Sequence, residues 1–117
     1  MSVPTNEGRV DYIEFHATDL PAVKKFYAEA FGWKFTDYGP GYCAFEDGRL
    51  TGGFTAEPGP RGGPPLVILY SAALEAARGK VLAAGGKISK EIFSFPGGRR
   101  FHFIGPCGNQ LAVWSDR

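Results

Sequence analysis

Val10-Asp11-Tyr12-Ile13-Glu14-Phe15-His16-Ala17-Thr18-Asp19-Leu20-Pro21-Ala22-Val23 changes its hydrophobic period partway along, and that change decides the fold. Ile13, Phe15 and Ala17 alternate with Tyr12, Glu14 and His16, so the segment reads first as a strand with one apolar face and one face carrying chemistry. Asp19 then offers a side-chain acceptor to a free helix amide, and Pro21 suits a first helical turn. Val23, Phe26, Tyr27, Ala30 and Phe31 recur at helical spacing until Gly32 stops them. Beyond the helix, residues 33–38, 42–46 and 50–56 read as strands, with turns at Gly39-Pro40-Gly41 and Asp47-Gly48-Arg49.

The same order then restarts. Residues 57–65 form a break, because no regular element tolerates that density of proline and glycine. Leu66 to Tyr70 is an apolar strand, and Ser71 is a candidate N-cap. Leu74, Ala77, Val81 and Leu82 make the stripe of a second helix closed by Gly85-Gly86. Strands are expected at 87–93, 100–104 and 110–115, with turns at Pro96-Gly97-Gly98 and Gly105 to Asn109. The two helix-stopping glycines, Gly32 and Gly86, lie 54 residues apart, close to half of 117, so the chain reads as a duplicated βαβββ unit. The expectation is an α+β domain of two modules, about 8–56 and 66–116, joined by the linker 57–65. The two sheets curl around a shared cavity with the helices outside.

Composition narrows the function classes. A chain of 117 residues with 44% hydrophobic and 15% aromatic content has material for one real core. A net charge of +1 leaves no electrostatic footprint for nucleic acid. No run approaches a membrane span, and Met1 to Asn6 lacks the pattern of a signal peptide, so a cytoplasmic location is expected. Cys43 and Cys107 are read as reduced thiols and not as a disulfide or zinc framework. Gly52-Gly53 and Gly97-Gly98 lack the following helix and lysine of a phosphate loop.

Val10-x-Tyr-Ile-Glu-Phe-x-Ala-x-Asp19-Leu20, followed by Phe26-Tyr27-x-x-Ala30-Phe31-Gly32-Trp33, resembles the first strand and helix of the vicinal oxygen chelate superfamily, which comprises glyoxalase I, bleomycin resistance proteins and extradiol dioxygenases. Ala83-Ala84-Gly85-Gly86-Lys87 and Gly105-Pro106-x-Gly108-Asn109-x-x-x-Val113-Trp114 are similar to its second-half signatures. The resemblance implies paired βαβββ modules, frequent homodimers and, in enzymatic members, one divalent metal that chelates vicinal substrate oxygens. It places the four metal-ligand positions at Tyr12, near Gly52-Gly53, near Val67 and at Ala112. Glycine, alanine and valine carry no donor side chain and tyrosine is a rare ligand, so no cofactor is expected.

Site candidates follow from the strand faces. Glu14 and His16 share a face with Tyr12 and are candidate catalytic residues, a carboxylate beside an imidazole forming a general acid/base pair. A carboxylate between Ile13 and Phe15 also needs a partner or an open cavity to offset its desolvation. Tyr12, Glu14, Gln110 and Trp114 are expected to line the cavity, with Val67 and Leu69 opposite them. Arg100 and His102 add polar handles to this ligand-binding set. Arg99 is read as a solvated turn residue and Cys107 as inert.

An apolar, aromatic cavity without the usual metal points to a homodimeric protein that binds a small apolar or aromatic ligand, with no nucleic-acid or membrane partner. The alternative is a glyoxalase-like lyase or isomerase, or a dioxygenase-related enzyme. Glu14 would be its base, and any metal would be held by a noncanonical set such as Glu14, His16 and His102. A third possibility is an interaction module that keeps the fold and has lost the site.

Overall fold

A computed structural model describes residues 6–57 and 64–117. Apart from its ends, the linker read at 57–65 lies outside the described residues. The chain forms eight strands and two helices, in the order β1 (Val10–His16), α1 (Leu20–Phe31), β2 (Lys34–Asp37), β3 (Tyr42–Glu46), β4 (Thr51–Thr55), β5 (Leu66–Tyr70), α2 (Leu74–Ala83), β6 (Lys87–Phe95), β7 (Gly98–Ile104) and β8 (Gln110–Ser115). This is the duplicated βαβββ arrangement of an α+β fold. No helix among the described residues is long and apolar enough to cross a membrane.

Contacts divide the chain into two units. The first runs from Tyr12 to Pro65, and its strands lie in the order β2-β3-β4-β1. β1 pairs parallel with β4, placing Tyr12 against Thr51 and Glu14 against Gly53, while β3 pairs antiparallel with both β2 and β4. The second unit holds Leu66–Arg117 in the strand order β5-β8-β7-β6, and residues up to Asp11 group with it. Gly8 donates to the Tyr70 carbonyl at 2.7 Å, and Tyr70 donates to Arg9 at 3.2 Å. The chain of β1 thus leaves one unit at Asp11 and enters the other at Tyr12.

Local sequence accounts for most element ends. Asp19 Oδ1 accepts the Ala22 amide at 3.0 Å, Pro21 sits in the first turn of α1, and Gly32 closes it at φ 73°. Gly85 at φ 97° ends α2. Its N–H reaches Leu82 O and that of Gly86 reaches Val81 O, the paired bonds of a Schellman motif. The start of α2 departs from the reading of Ser71 as N-cap. Ala73 occupies that position without a side-chain cap. Ser71 Oγ does accept the Ala73 amide at 3.1 Å, and it donates to Glu7 Oε2 at 2.6 Å, while Glu7 Oε1 accepts the Ala72 amide at 2.7 Å. A carboxylate 64 positions upstream thus shares with the local hydroxyl the amides just ahead of the helix. β6 and β7 also run closer together than expected, to Phe95 and from Gly98, since the hairpin turn needs only the residues between them.

Each unit packs one helix on one face of its strands. In the first, Leu20, Cys43, Phe45 and Phe54 form the buried centre, with Phe15, Val23, Tyr27 and Trp33 packed around it. The rings interlock: Tyr27 stacks on Trp33 at 4.6 Å, Trp33 on Phe45 at 4.5 Å and Phe15 on Phe54 at 5.1 Å. In the second, Leu74, Phe101 and Val113 form the centre, with Leu69, Ala77, Val81 and Phe103 beside them.

Candidate functional site

Packing fixes which side of each strand is left for chemistry. Phe15 belongs to the core beneath α1, so alternation turns Tyr12, Glu14 and His16 to the other side of β1. On β3, Cys43 and Phe45 are buried, which puts Tyr42 and Ala44 on the opposite face. Gly53 is the partner of both Glu14 and Ala44, and a Cβ there would overlap the Tyr42 hydroxyl and crowd that of Tyr12. Glycine is required because two phenols converge over it.

These residues form one hydrogen-bonded cluster. The Tyr12 and Tyr42 hydroxyls lie 2.6 Å apart, and Tyr42 donates to Glu14 Oε2 at 3.2 Å. Burial pushes the Tyr12 phenol up to about 12. Tyr42 is pushed up further, first by burial and then by the charge of Glu14, so both phenols stay protonated at neutral pH. With Tyr42 donating to Glu14, Tyr12 donates to Tyr42. The cluster thus gathers one carboxylate and two neutral phenols on one face of the strands. His16 stands apart from it, exposed at the end of β1 opposite Thr55.

The second unit carries its own polar set on the face turned away from α2. Val113 and Phe101 point to the helix, which leaves Gln110, Ala112 and Trp114 of β8 and Arg100 and His102 of β7 on the other side. Trp114 Nε1 donates to Asp11 Oδ2 at 2.8 Å, and Asn6 donates to Asp11 Oδ1 at the same distance. The Arg100 guanidinium lies over Phe93 at 5.4 Å and Phe95 at 5.8 Å. Arg99, on the helix side, is an ion pair with Glu75. His102 is 8% exposed, and its Nδ1 accepts from Gln110 Nε2 at 3.3 Å, which leaves the ring proton on Nε2. That buried nitrogen has no partner among the described residues. Burial, reinforced by the charges of Arg100 and Lys90, depresses the imidazole to about 4, so His102 is a neutral donor at physiological pH.

Val67 and Leu69 do not share this face. β5 and β8 pair parallel with Val67 beside Leu111 and Leu69 beside Val113, and Leu69 packs into the core under α2. Ile68 and Tyr70 are the β5 residues aligned with Ala112 and Trp114. Alternation could not reveal this, because Leu66-Val67-Ile68-Leu69-Tyr70 is apolar at every position. Tyr42 was missed as a site residue for a related reason, since an aromatic in a strand reads as core. The signal that could have found it is the alternation of Tyr42 with the buried Cys43 and Phe45, facing a diglycine strand.

The four metal-ligand positions implied by the resemblance do not fit a divalent cation. Burial holds Tyr12 protonated, and its hydroxyl is engaged with that of Tyr42. Gly53 has no room for a side chain. The β5 position is valine or isoleucine, and Ala112 is fully buried without a donor atom. Among the described residues, no three His, Cys, Asp or Glu side chains gather closely enough to hold a metal ion, which also separates Glu14, His16 and His102 as a set.

Residues 9–113 match the model of the Glyoxalase/Bleomycin resistance protein/Dioxygenase superfamily. "Putative glyoxylase CFP32" of Mycobacterium bovis is 30% identical over 119 aligned positions, covering 92% of this chain and 46% of that protein. The chain thus spans about half the length of the curated relatives it matches. Among solved structures, the Mn(II)-bound glyoxalase from Novosphingobium aromaticivorans superposes with a TM-score of 0.66 at 25% identity, covering 92% of this chain and 38% of that one. The hypothetical protein BH1468 from Bacillus halodurans superposes at 0.74 with 15% identity, covering 93% and 94%, a likeness of fold alone.

Proposed function

The chain belongs to the glyoxalase/bleomycin resistance protein/dioxygenase superfamily, and from that membership we propose that it is a small-molecule binding protein that holds its ligand by hydrogen bonds where metal-dependent relatives use a cation. The observation that carries this reading is the Tyr12–Tyr42–Glu14 cluster over Gly53, built on two of the positions where the family places metal ligands. A carboxylate beside two phenols suits a ligand with a hydroxyl or amine donor on an apolar or aromatic body. The second unit's strands carry a polar set of their own in Trp114, Arg100 and the Nε2 proton of His102. The protein works as a homodimer in the cytoplasm.

Ligand-observed NMR with phenol and benzyl alcohol as probes tests the reading, using Tyr42→Phe and Glu14→Gln. Expected is binding to the parent chain and loss of roughly tenfold or more in Glu14→Gln, the size of a hydrogen bond to a charged group. Unchanged affinity in both variants overturns it. Near-stoichiometric manganese, nickel, iron or zinc in protein purified without chelator would equally overturn capture by hydrogen bonds alone.

A second reading is favoured by the name of the mycobacterial relatives and by the Tyr42–Glu14 bond. In it Glu14 is a general base that takes a proton from bound substrate, with Tyr42 steadying the carboxylate and His16 exchanging the proton with solvent. Turnover abolished in Glu14→Gln with binding retained supports catalysis; turnover that survives the substitution disposes of it.

A further inference from the structure

A second site opens on the other side of the strands, between α2 and its own sheet. A cleft of about 370 Å³ runs there, with Leu69, Phe103 and Val113 as its floor and Ala77 and Val81 as its roof. Its origin is visible by comparison with α1. Leu20 and Leu74, each the buried residue that starts its helix, are 54 positions apart, and the same step takes Val23 to Ala77 and Tyr27 to Val81. Each replacement is smaller, so Ala77 and Val81 reach the core beneath α2 but leave a cleft beside it.

The charges at the rim are not equivalent. Both carboxylate oxygens of Glu7 are committed, to the Ser71 hydroxyl and the Ala72 amide, and those bonds hold its pKa below the usual carboxylate range. Lys80, one helical turn past Ala76 and Ala77 and exposed, lies at the same rim. Its ammonium, whose charge also acts on Glu7, is the cation at the rim. A hollow of this size exceeds the ~150 Å³ in which a dry apolar cavity already binds benzene.

We infer that the cleft beneath α2 binds a small monocarboxylate, its aliphatic or aryl body against Leu69, Phe103 and Val113 and its carboxylate at Lys80. This site lies on the helix side of the second unit and stands independently of the cluster of Tyr12, Tyr42 and Glu14.

The test is a methyl-detected NMR titration of the full chain with hexanoate, using 1-hexanol as the uncharged control. Hexanoate is expected to shift the methyls of Leu69, Val81 and Val113. Lys80→Gln, a surface change that leaves folding intact, should weaken hexanoate about threefold and leave 1-hexanol unchanged, as for an exposed ion pair. Ala77→Leu should fill the cleft and abolish the shifts of both probes, with its folding checked by the dispersion of the same methyl spectrum. Absence of shifts at these three residues, or equal loss of the two probes in Lys80→Gln, overturns the inference. Glu14→Gln should leave hexanoate binding as it is, which separates failure here from failure of the proposed function.

Discussion

Where α1 meets its strands, Tyr27 stacks on Trp33 and Phe54 and closes the interface with rings. Where α2 meets its own strands, Ala77 and Val81 leave a cleft. The two units nevertheless share their frame through the helix and the strand that follows it. Lys24 pairs with Asp37 at 2.8 Å, tying α1 to β2, and Arg78 pairs with Glu91 at 2.8 Å, tying α2 to β6. Each partner in the second pair stands 54 positions beyond its counterpart in the first. The duplicated unit has thus kept its outer fastening and its leucine helix start while the filling between helix and sheet diverged. Helix placement is set by the frame, and the interior can be tight or hollow within it.

The largest test of that contrast is core truncation at matched positions. Phe54 lies beside Phe15 on β1 as Val113 lies beside Leu69 on β5. Phe54→Ala should cost about 4 kcal/mol and Val113→Ala about 2 kcal/mol in urea denaturation, the ring leaving the larger cavity. Equal costs would mean that the aromatic interlock adds nothing.

Next in size is a pH effect confined to the second unit. His102, depressed to about 4 in the folded chain against an ordinary 6.5, binds a proton more readily when unfolded. Stability should therefore fall as pH drops from about 6.5 to about 4, by on the order of 3 kcal/mol in all, and level off below. His102→Gln should flatten the profile in that window. A profile unchanged by the substitution would deny His102 its buried, neutral state.

Ala77→Val copies Val23 of α1 into the hollow interface and should raise stability by about 1 kcal/mol in thermal or urea melts, as cavity-filling changes do. A loss would show that the helix cannot accept the larger side chain. The smallest effects belong to the paired salt bridges. Lys24→Gln and Arg78→Gln should each shift the melting midpoint slightly, and the shift should vanish at high salt. A large, salt-resistant loss in either would make the fastening itself the organiser of the unit.

The order of elements was legible because α1 carries its own punctuation, Asp19 and Pro21 at the start and Gly32 at the end, and because Gly85-Gly86 repeats the stop. What escaped was set by partners distant in sequence. The side on which Leu69 falls depends on its register with Val113, and an all-apolar strand gives no local sign of it. The acceptor for the Ala72 amide comes from Glu7, and the phenol over Gly53 from another strand. Tyr12 and Glu14 were found by alternation because their strand mixes polar and apolar residues. Tyr42 was not, since nothing in its own neighbourhood distinguishes a hydrogen-bonded phenol from a buried ring.

Residues 6–11 fasten to segments made much later: Glu7 to Ser71, and Asp11 to Trp114 across 103 positions. During synthesis, Tyr12 to Pro65 can complete their own contacts while the stretch ahead of them waits for the last strand to emerge. The earliest part of the described chain is therefore among the last to be tied down, through closures that span most of the sequence and slow the final step of folding.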